Sequence, residues 1–317
     1  MRLILTITAA LLVTGCSQQQ DPEIADNLGN TNSANSDAPA PVIYTVNYPL
    51  AWAATELAGT SAQVQFPAPA NVDPAFWQPD QTIVGAYQQA NLVILNGANY
   101  ARWIARVSMP QNRLLDTSLG FSEQLIAQNT GPQHSHGPKG DHSHGELAFT
   151  IWLDLELYSQ QVSTIATALS GMMPTEDASI AARRDALLAR LQVLDNQLMS
   201  IGKQLDGAPI LYSHPVYQYL QRRYQLNGKA LHWEPQQAPA ASEWAKLDAL
   251  QQSHPARLML WEAEPLADTR AQLEQRGIQA VVLRPMGNHP DNGSFLDNLQ
   301  ADSTGLDSAV RALLAQQ

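Results

Sequence analysis

The sequence is poor in cysteine and in basic residues. Its only cysteine in 317 residues is Cys16, so no disulfide can form within the chain and the fold must be stabilised by packing. Lysine and arginine together number 18 against 29 aspartates and glutamates, which gives a net charge of −11. A negative charge of this size disfavours nucleic acids and anionic membrane surfaces as partners.

Catalytic signatures are also missing from the sequence. It contains no recognisable nucleophile–base pair, no phosphate-binding loop and no H-E-x-x-H motif. We therefore predict that the protein is not an enzyme. A chain of about 300 residues is long enough for two domains of ordinary size.

The N-terminus has the pattern of an export signal. A basic start precedes an apolar run at residues 3–13, which is too short to span a bilayer as a stable helix. Residues 13–16 read Val-Thr-Gly-Cys, which resembles a bacterial lipobox. We predict a lipoprotein signal peptide at residues 1–16 with a lipidated Cys16, followed by a disordered polar tether at residues 17–40. An ordinary signal peptide with an incidental cysteine is the alternative.

Two parts of the sequence show the same alternation of strands and helices. Apolar, β-branched runs at residues 42–48 and 91–96 lie on either side of a helical segment, and the pattern restarts after residue 208. Such alternation is typical of a parallel sheet that helices cover on both faces. We predict an α/β fold with two doubly wound parallel-sheet lobes, at residues 41–174 and 208–317.

The longest periodic segment lies between these lobes. The apolar residues that recur there at steps of three and four are Ile180, Leu187, Leu191, Leu194, Leu198, Ile201 and Leu205. Thr175 suits the N-cap of a helix, and Gly207 suits its C-terminal end. We predict one connecting helix at residues 175–207, about 45 Å long, that joins the lobes. A coiled-coil helix with an external partner is the alternative.

Four of the eight histidines lie in one short segment that is rich in glycine. These histidines are His134, His136, His142 and His144. Glycine and proline around them exclude a helix or a strand, so residues 131–145 are predicted to form a mobile, solvated His-rich loop. Imidazole is a common metal ligand, and a flexible loop can capture Zn²⁺ or Cu²⁺ without a fixed geometry. A solvated spacer with no role is the alternative.

His214 is a candidate ligand in the second lobe. It lies at the end of a predicted strand, with Pro215 opening a helix, and this position points a side chain towards a cleft. The alternative is a helix cap at a strand–helix junction. Two other histidines, His254 and His289, lie in predicted loops and are interpreted as incidental.

The next two strands of this lobe end in further candidate ligands. His232 and Glu234 end one of them and offer an imidazole and a carboxylate. Glu262 and Glu264 end the other, and side chains two residues apart on a strand share a face. The alternatives for these residues are solvated strand ends or partners for Arg284.

Four short segments resemble those of the zinc- and manganese-binding solute-binding proteins of bacterial ABC importers, especially the zinc-binding branch. Residues 213–220, Ser-His-Pro-Val-Tyr-Gln-Tyr-Leu, are similar to the third ligand segment of that family. Residues 73–75 read Asp-Pro-Ala where the family has Asp-Pro-His. Residues 148–154 read Ala-Phe-Thr-Ile-Trp-Leu-Asp where it has Asp-Pro-His-Ile-Trp-Leu-Asp, and residues 284–285 read Arg-Pro for Asp-Pro. The resemblance covers residues 41–317.

The resemblance implies a metal site in a cleft between two lobes that a rigid helix joins, with His214 as a retained ligand. Ala75, Thr150 and Arg284 stand where the other ligands of the family are, and none of them suits a divalent cation. Asp154 resembles a structural aspartate that precedes a helix. Three interpretations stay open: a site rebuilt from other residues, a degenerate site with metal held by the loop alone, or a cleft for something other than a bare cation. We favour the rebuilt site.

The function implied by the resemblance is metal uptake. We predict a lipid-anchored, extracytoplasmic protein, periplasmic or on the cell surface, that captures Zn²⁺ and delivers it to the membrane permease of an ABC importer. Manganese or another divalent cation is the alternative cargo. The protein is expected to be a monomer that touches the membrane through its anchor and binds no nucleic acid. The alternative function is a zinc-buffering or metal-chaperone lipoprotein with a degenerate cleft that feeds no transporter.

Overall fold

The computed structural model describes residues 39–127, 134–135, 141–142 and 147–315. Ala40–Gln317 form one compact unit that contains two four-stranded parallel sheets with helices around them. This confirms the predicted α/β fold with two parallel-sheet lobes, while the exact domain boundaries stay a prediction. The predicted signal peptide and its cysteine, with nearly all of the tether, lie outside the described residues. In the described ranges, no helix is long and apolar enough to cross a membrane.

The first sheet and its first two α-helices comprise β1 (Val42–Thr45), α1 (Tyr48–Ala58), β2 (Gln63–Gln65), α2 (Gln81–Gln89), β3 (Leu92–Leu95) and β4 (Leu114–Asp116). The strands are parallel and follow the order β2-β1-β3-β4, which is a doubly wound order. Helix α1 begins after Asn47 because the Asn47 side chain accepts a hydrogen bond from the N–H of Leu50, and Pro49 fits the first turn.

The His-rich segment contains two very short strands, β5 (His134–Ser135) and β6 (Asp141–His142). They pair antiparallel, with His134 opposite His142. The prediction that this segment has no strand is wrong at these four residues, because two residues on each side suffice for a backbone pairing. The other residues of the segment and all of its side chains lie outside the described part. Metal binding by its four histidines therefore stays a prediction.

Two long helices follow, α3 (Leu155–Met172) and α4 (Asp177–Leu205). The predicted connecting helix is confirmed as a helix, but Thr175 does not cap it. Thr175 lies inside a 3₁₀ turn at Pro174–Glu176, because the ring of Pro174 fixes a backbone angle that suits the start of a turn. Helix α4 ends where Asp206 and Gly207 take up positive φ values of 45° and 75°. This left-handed backbone is the usual way to end a helix.

The second sheet repeats the topology of the first. Its elements are β7 (Pro209–Tyr212), α5 (Gln218–Tyr224), β8 (Asn227–Ala230), α6 (Ala241–Ser253), β9 (Leu258–Trp261), α7 (Ala267–Gln275), β10 (Gln279–Val282) and α8 (Phe295–Leu314). The strand order is β10-β9-β7-β8, and all neighbouring strands are parallel. All four residues of β9 are buried, as expected for a parallel strand that helices cover on both faces. Ligands bind such sheets at the carboxyl ends of the strands.

Helix α4 packs against both halves of the compact unit. It contacts α1 and α3 of the first half and α5 and α8 of the second. Asp195 of α4 is buried and pairs with Arg223 of α5 at 2.6 Å, and it also accepts a hydrogen bond of 3.0 Å from the Tyr224 hydroxyl. Gly202 of α4 leaves space for the carbonyl oxygen of Tyr224. These contacts favour an internal connecting helix over the coiled-coil alternative.

Candidate metal site

The candidate site begins where β7 and β8 end side by side. Their parallel register places Tyr212 opposite Ala230. Two backbone hydrogen bonds of 2.8 Å continue the pairing beyond the strands, from Leu231 N–H to the Tyr212 carbonyl and from Trp233 N–H to the Ser213 carbonyl. His214 and His232 each lie two residues beyond the opposed pair, so the register brings the two histidines to the same edge of the sheet.

The geometry of the two histidines and Glu234 is compact. The ring centroids of His214 and His232 lie 5.9 Å apart with perpendicular planes. His214 Nε2 lies 3.8 Å from Glu234 Oε1. His214 is buried, with 5% of its surface exposed, whereas the Glu234 side chain is 27% exposed and His232 is exposed. The exposure of the three side chains therefore decreases from His232 through Glu234 to the buried imidazole of His214.

A cavity of about 420 Å³ adjoins these side chains. Residues lining it include His214, His232, Trp233, Glu234, Glu243 and Lys246. Trp233 forms part of the wall because it packs against Trp244 and Trp261, with ring centroids 4.7 and 6.2 Å away. The volume is far larger than a bare ion needs and falls within the range of small-molecule sites.

His214 is fixed by a turn and not by a helix that begins at Pro215. The Val216 N–H donates to the His214 carbonyl at 2.9 Å, and α5 begins only at Gln218. The prediction that Pro215 opens the helix is therefore wrong. The Tyr217 hydroxyl donates to the Leu283 carbonyl at 2.8 Å and anchors this turn to the strand that ends beside it. Burial, followed by the negative charge of Glu262, raises the pKa of Tyr217 well above its usual value, so it stays a neutral donor.

Glu262 and Glu264 do not share a strand face. Strand β9 ends at Trp261, so the alternation expected for these two residues does not apply. Glu264 is exposed and pairs with Arg270 at 2.6 Å. Glu262 is half-buried, and its negative charge helps to raise the pKa of Tyr217. Among the described residues, neither glutamate lines the cavity beside His214.

Two of the positions where the resembled family has ligands are buried in protein contacts. Ala75 and Thr150 are 3% and 4% exposed. The Thr150 hydroxyl donates to the Val216 carbonyl at 2.6 Å, which joins the first half of the unit to the second. The Asp73 carboxylate accepts a hydrogen bond from the N–H of Ala75 at 2.9 Å. These groups hold the backbone of the two segments in place.

Aromatic rings fill the space around these two positions. Phe149 packs edge-on against Phe76 and Tyr100, with centroids 6.0 and 5.3 Å away, and Tyr100 packs against Trp152 at 5.9 Å. The indole N–H of Trp152 donates to the Pro285 carbonyl at 2.5 Å. The region that corresponds to the usual cleft ligands is therefore an apolar cluster tied to the second half by hydrogen bonds.

Arg284 forms an ion pair with Asp302. Its Nη2 and Nε lie 2.6 and 2.9 Å from the two carboxylate oxygens, and its N–H also donates to Asp302. The hydrogen bond to Asp302 raises the pKa of Arg284, so the guanidinium stays charged and compensated. Sequence reasoning missed Asp302 as a partner, because 18 residues separate the two and no local pattern links them.

The other residues that the sequence analysis singled out, His254, His289 and Asp154, make packing or capping contacts. The His254 ring forms a hydrogen bond of 2.8 Å to the Ile210 carbonyl and is buried. His289 packs against Tyr48, with ring centroids 4.7 Å apart. The Asp154 side chain caps α3 by accepting hydrogen bonds from two N–H groups of the first turn. Throughout the ranges that the structure describes, no group of three or more His, Cys, Asp or Glu side chains is placed so that it could already hold a metal ion.

Comparison with protein families gives one match over most of the chain. The model of the family described as zinc-uptake complex component A, periplasmic, matches residues 43–309. The chain is 22% identical over 292 residues to the zinc-binding lipoprotein AdcA of Streptococcus pneumoniae serotype 4, which covers 90% of this chain and 54% of AdcA. It therefore spans about half the length of that relative. It is 24% identical over 282 residues to the high-affinity zinc uptake system protein ZnuA of Bacillus subtilis, which covers 87% of this chain and 85% of ZnuA.

Solved structures show the same fold. The metal-dependent lipoprotein YcdH of Bacillus subtilis superposes with a TM-score of 0.72 at 18% identity, over 84% of this chain and 98% of that one. Zn(II)-bound AdcA of Streptococcus pneumoniae gives a TM-score of 0.71 at 18% identity, over 86% of this chain and 58% of the AdcA chain. At these identities the superpositions establish the fold alone.

Proposed function

Since the chain belongs to the family described as periplasmic zinc-uptake complex component A, we propose that it captures Zn²⁺ outside the cytoplasm and delivers it to the permease of an ABC importer. The observation that carries the proposal is His214, an imidazole retained from the family segment and buried beside Glu234 and His232. A buried imidazole next to a carboxylate is the kind of donor pair that zinc prefers. The names of the relatives, a zinc-binding lipoprotein and a zinc uptake protein, support the same cargo.

Lipid attachment at Cys16 forms part of this proposal. The short apolar run and the Val-Thr-Gly-Cys pattern support it, and so does the description of the relative as a lipoprotein. Several acyl chains on one residue would hold the protein firmly at a membrane, whereas a single chain binds only marginally. The anchor would keep the captured ion close to the permease.

Calorimetry on the metal-stripped protein tests the proposed cargo. We expect roughly stoichiometric Zn²⁺ binding and a higher unfolding temperature in the presence of zinc, because a ligand that binds only the native state stabilises it. Mn²⁺ and Cu²⁺ titrated in the same way show whether zinc is preferred. Binding no better than millimolar would contradict the proposal.

A zinc-buffering lipoprotein that feeds no transporter is the second candidate. Ala75 and Thr150 at the usual ligand positions favour it, because neither supplies a good donor. Under this alternative the His-rich loop would carry all of the binding.

Deletion of residues 131–145 separates the two candidates. We expect tight zinc binding to survive the deletion, with a loss of the weaker equivalents that the loop histidines would bind. Calorimetric titration of the intact and the deleted chain measures both classes of site. Complete loss of binding in a deleted chain that unfolds at the same temperature would assign the zinc to the loop and favour the buffering function.

A further inference from the structure

We propose that the principal zinc site has moved out of the cleft of its family and into the C-terminal half, residues 208–315, where His214, His232 and Glu234 are the ligands. The inference rests on the proposed function, since it takes Zn²⁺ as the cargo. It assigns a site within one half of the protein, built on one edge of the second sheet. His214 would be its only ligand in common with the usual site.

The pairing of β7 with β8 brings His214 and His232 to the same end of the second sheet. His214 follows β7 and His232 follows β8, each two residues beyond the opposed pair Tyr212 and Ala230. Glu234 comes two residues after His232, and its Oε1 lies 3.8 Å from His214 Nε2. The hydrogen bond from Trp233 N–H to the Ser213 carbonyl holds the two segments together at this point.

The distances are close to those of a zinc site. Two donors about 2 Å from one tetrahedral Zn²⁺ lie about 3.4 Å apart, and the centroids of two imidazoles on it lie about 5 Å apart. His214 Nε2 and Glu234 Oε1 are 3.8 Å apart, and the two imidazole centroids are 5.9 Å apart. Because no three described side chains already converge on one ion position, at least one ligand must reorient when zinc binds. His232 is exposed, so a rotation of its ring would leave the buried core in place.

Burial and the cavity give the site a direction of entry. Exposed His232 and partly exposed Glu234 stand in front of buried His214, so an ion would meet the outer donors first. Three protein donors leave one tetrahedral position open, and water in the adjacent cavity of about 420 Å³ can fill it. The ion would then remain partly accessible, which suits a protein that must release its cargo.

Among the described residues, the positions of the usual cleft ligands offer no comparable set of donors. Ala75 has no donor atom, the Thr150 hydroxyl is bound to the Val216 carbonyl, and Arg284 is a cation paired with Asp302. An apolar aromatic cluster packs around Phe149 there. Zinc at the second-sheet edge needs no ligand from the first half.

Two substitutions at the outer ligands test the assignment in the full chain after removal of metal. We expect His232→Ala and Glu234→Gln each to weaken Zn²⁺ binding at least about tenfold, as measured by competition with a chromophoric chelator. Both residues are at least partly exposed, so the variants should unfold at the wild-type temperature without metal. Glu274→Gln, a matched change of an exposed glutamate on α7, is expected to keep wild-type affinity.

Glu262→Gln tests the other half-buried carboxylate among the predicted ligands. We expect it to leave the affinity unchanged, and a loss there with none in Glu234→Gln would overturn the inference. The same substitutions in the chain lacking residues 131–145 remove any contribution of the loop. If wild-type protein binds zinc tightly but His232→Ala and Glu234→Gln bind equally well, the ligand assignment is wrong and the proposed function stands. If wild-type protein binds no zinc, the proposed function itself is wrong.

Discussion

Replacing His214 by alanine is expected to abolish tight zinc binding, with a loss of more than about 100-fold in affinity. Loss of a residue that only orients a metal ligand lowers the metal affinity about 10–100-fold. His214 is proposed as a direct ligand, so its loss is expected to lower the affinity further. His214 is also the only buried donor of the three proposed ligands, so its loss removes the innermost donor of the site. Competition with a chromophoric chelator measures the loss in metal-stripped protein.

A second histidine provides the control for this prediction. His289 packs against the ring of Tyr48 and does not line the cavity beside His214, so His289→Ala is expected to keep the affinity of the wild type. Unfolding of the metal-free proteins shows whether His214→Ala still folds. A folded His214→Ala protein with wild-type affinity would exclude both the retained family ligand and the relocated site.

Replacing Gly202 by alanine is expected to lower the free energy of unfolding by about 3 kcal/mol, because overpacking against rigid atoms forces the backbone to shift. A Cβ at this position would lie 2.1 Å from the carbonyl oxygen of Tyr224. A backbone carbonyl cannot move aside as a flexible side chain can, so α4 and α5 must separate. Urea unfolding followed by circular dichroism measures the change.

Gly305 is the matched control on another helix. It lies in the exposed part of α8, and a Cβ there would meet nothing within 4 Å. Gly305→Ala is therefore expected to raise the free energy of unfolding by about 0.5–1 kcal/mol, through the better helix propensity of alanine. Equal effects of the two substitutions would show that the close contact between α4 and α5 does not fix the connecting helix.

Much of the fold could be predicted because it depends on local patterns. Apolar runs such as Leu258–Trp261 and the repeated leucines of α4 give the periods of buried strands and of a long helix. The start of α4 could not be placed correctly, since the 3₁₀ turn begun by Pro174 competes with the cap that Thr175 suggests. Element boundaries depend on such competitions between neighbours, and residue preferences alone do not decide them.

The candidate site was predictable only in part. The sequence places His214 and His232 after successive strands, but their proximity depends on the register that puts Tyr212 opposite Ala230. The sequence does not show that β9 ends at Trp261, so Glu262 and Glu264 look equivalent to Glu234 as candidate ligands. The carboxylate beside His214 is Glu234, at 3.8 Å, and only the three-dimensional arrangement distinguishes it.

The same limit applies to the positions where the resembled family has ligands. The sequence shows that Ala75, Thr150 and Arg284 are poor zinc ligands, but it does not show what they do. Their roles come from long-range contacts: Thr150 bonds to the Val216 carbonyl, and Arg284 pairs with Asp302. Contacts between residues so far apart in the chain are invisible to periodicity and spacing.

The position of zinc in a crystal is the most direct test of the relocated site. An anomalous-scattering map from a zinc-soaked crystal is expected to show its strongest peak about 2.0–2.1 Å from His214 Nε2, with His232 and Glu234 as the other protein ligands. The first half of the chain would contribute no ligand. A strongest peak beside Ala75 and Thr150, or one held only by histidines of residues 131–145, would contradict the account.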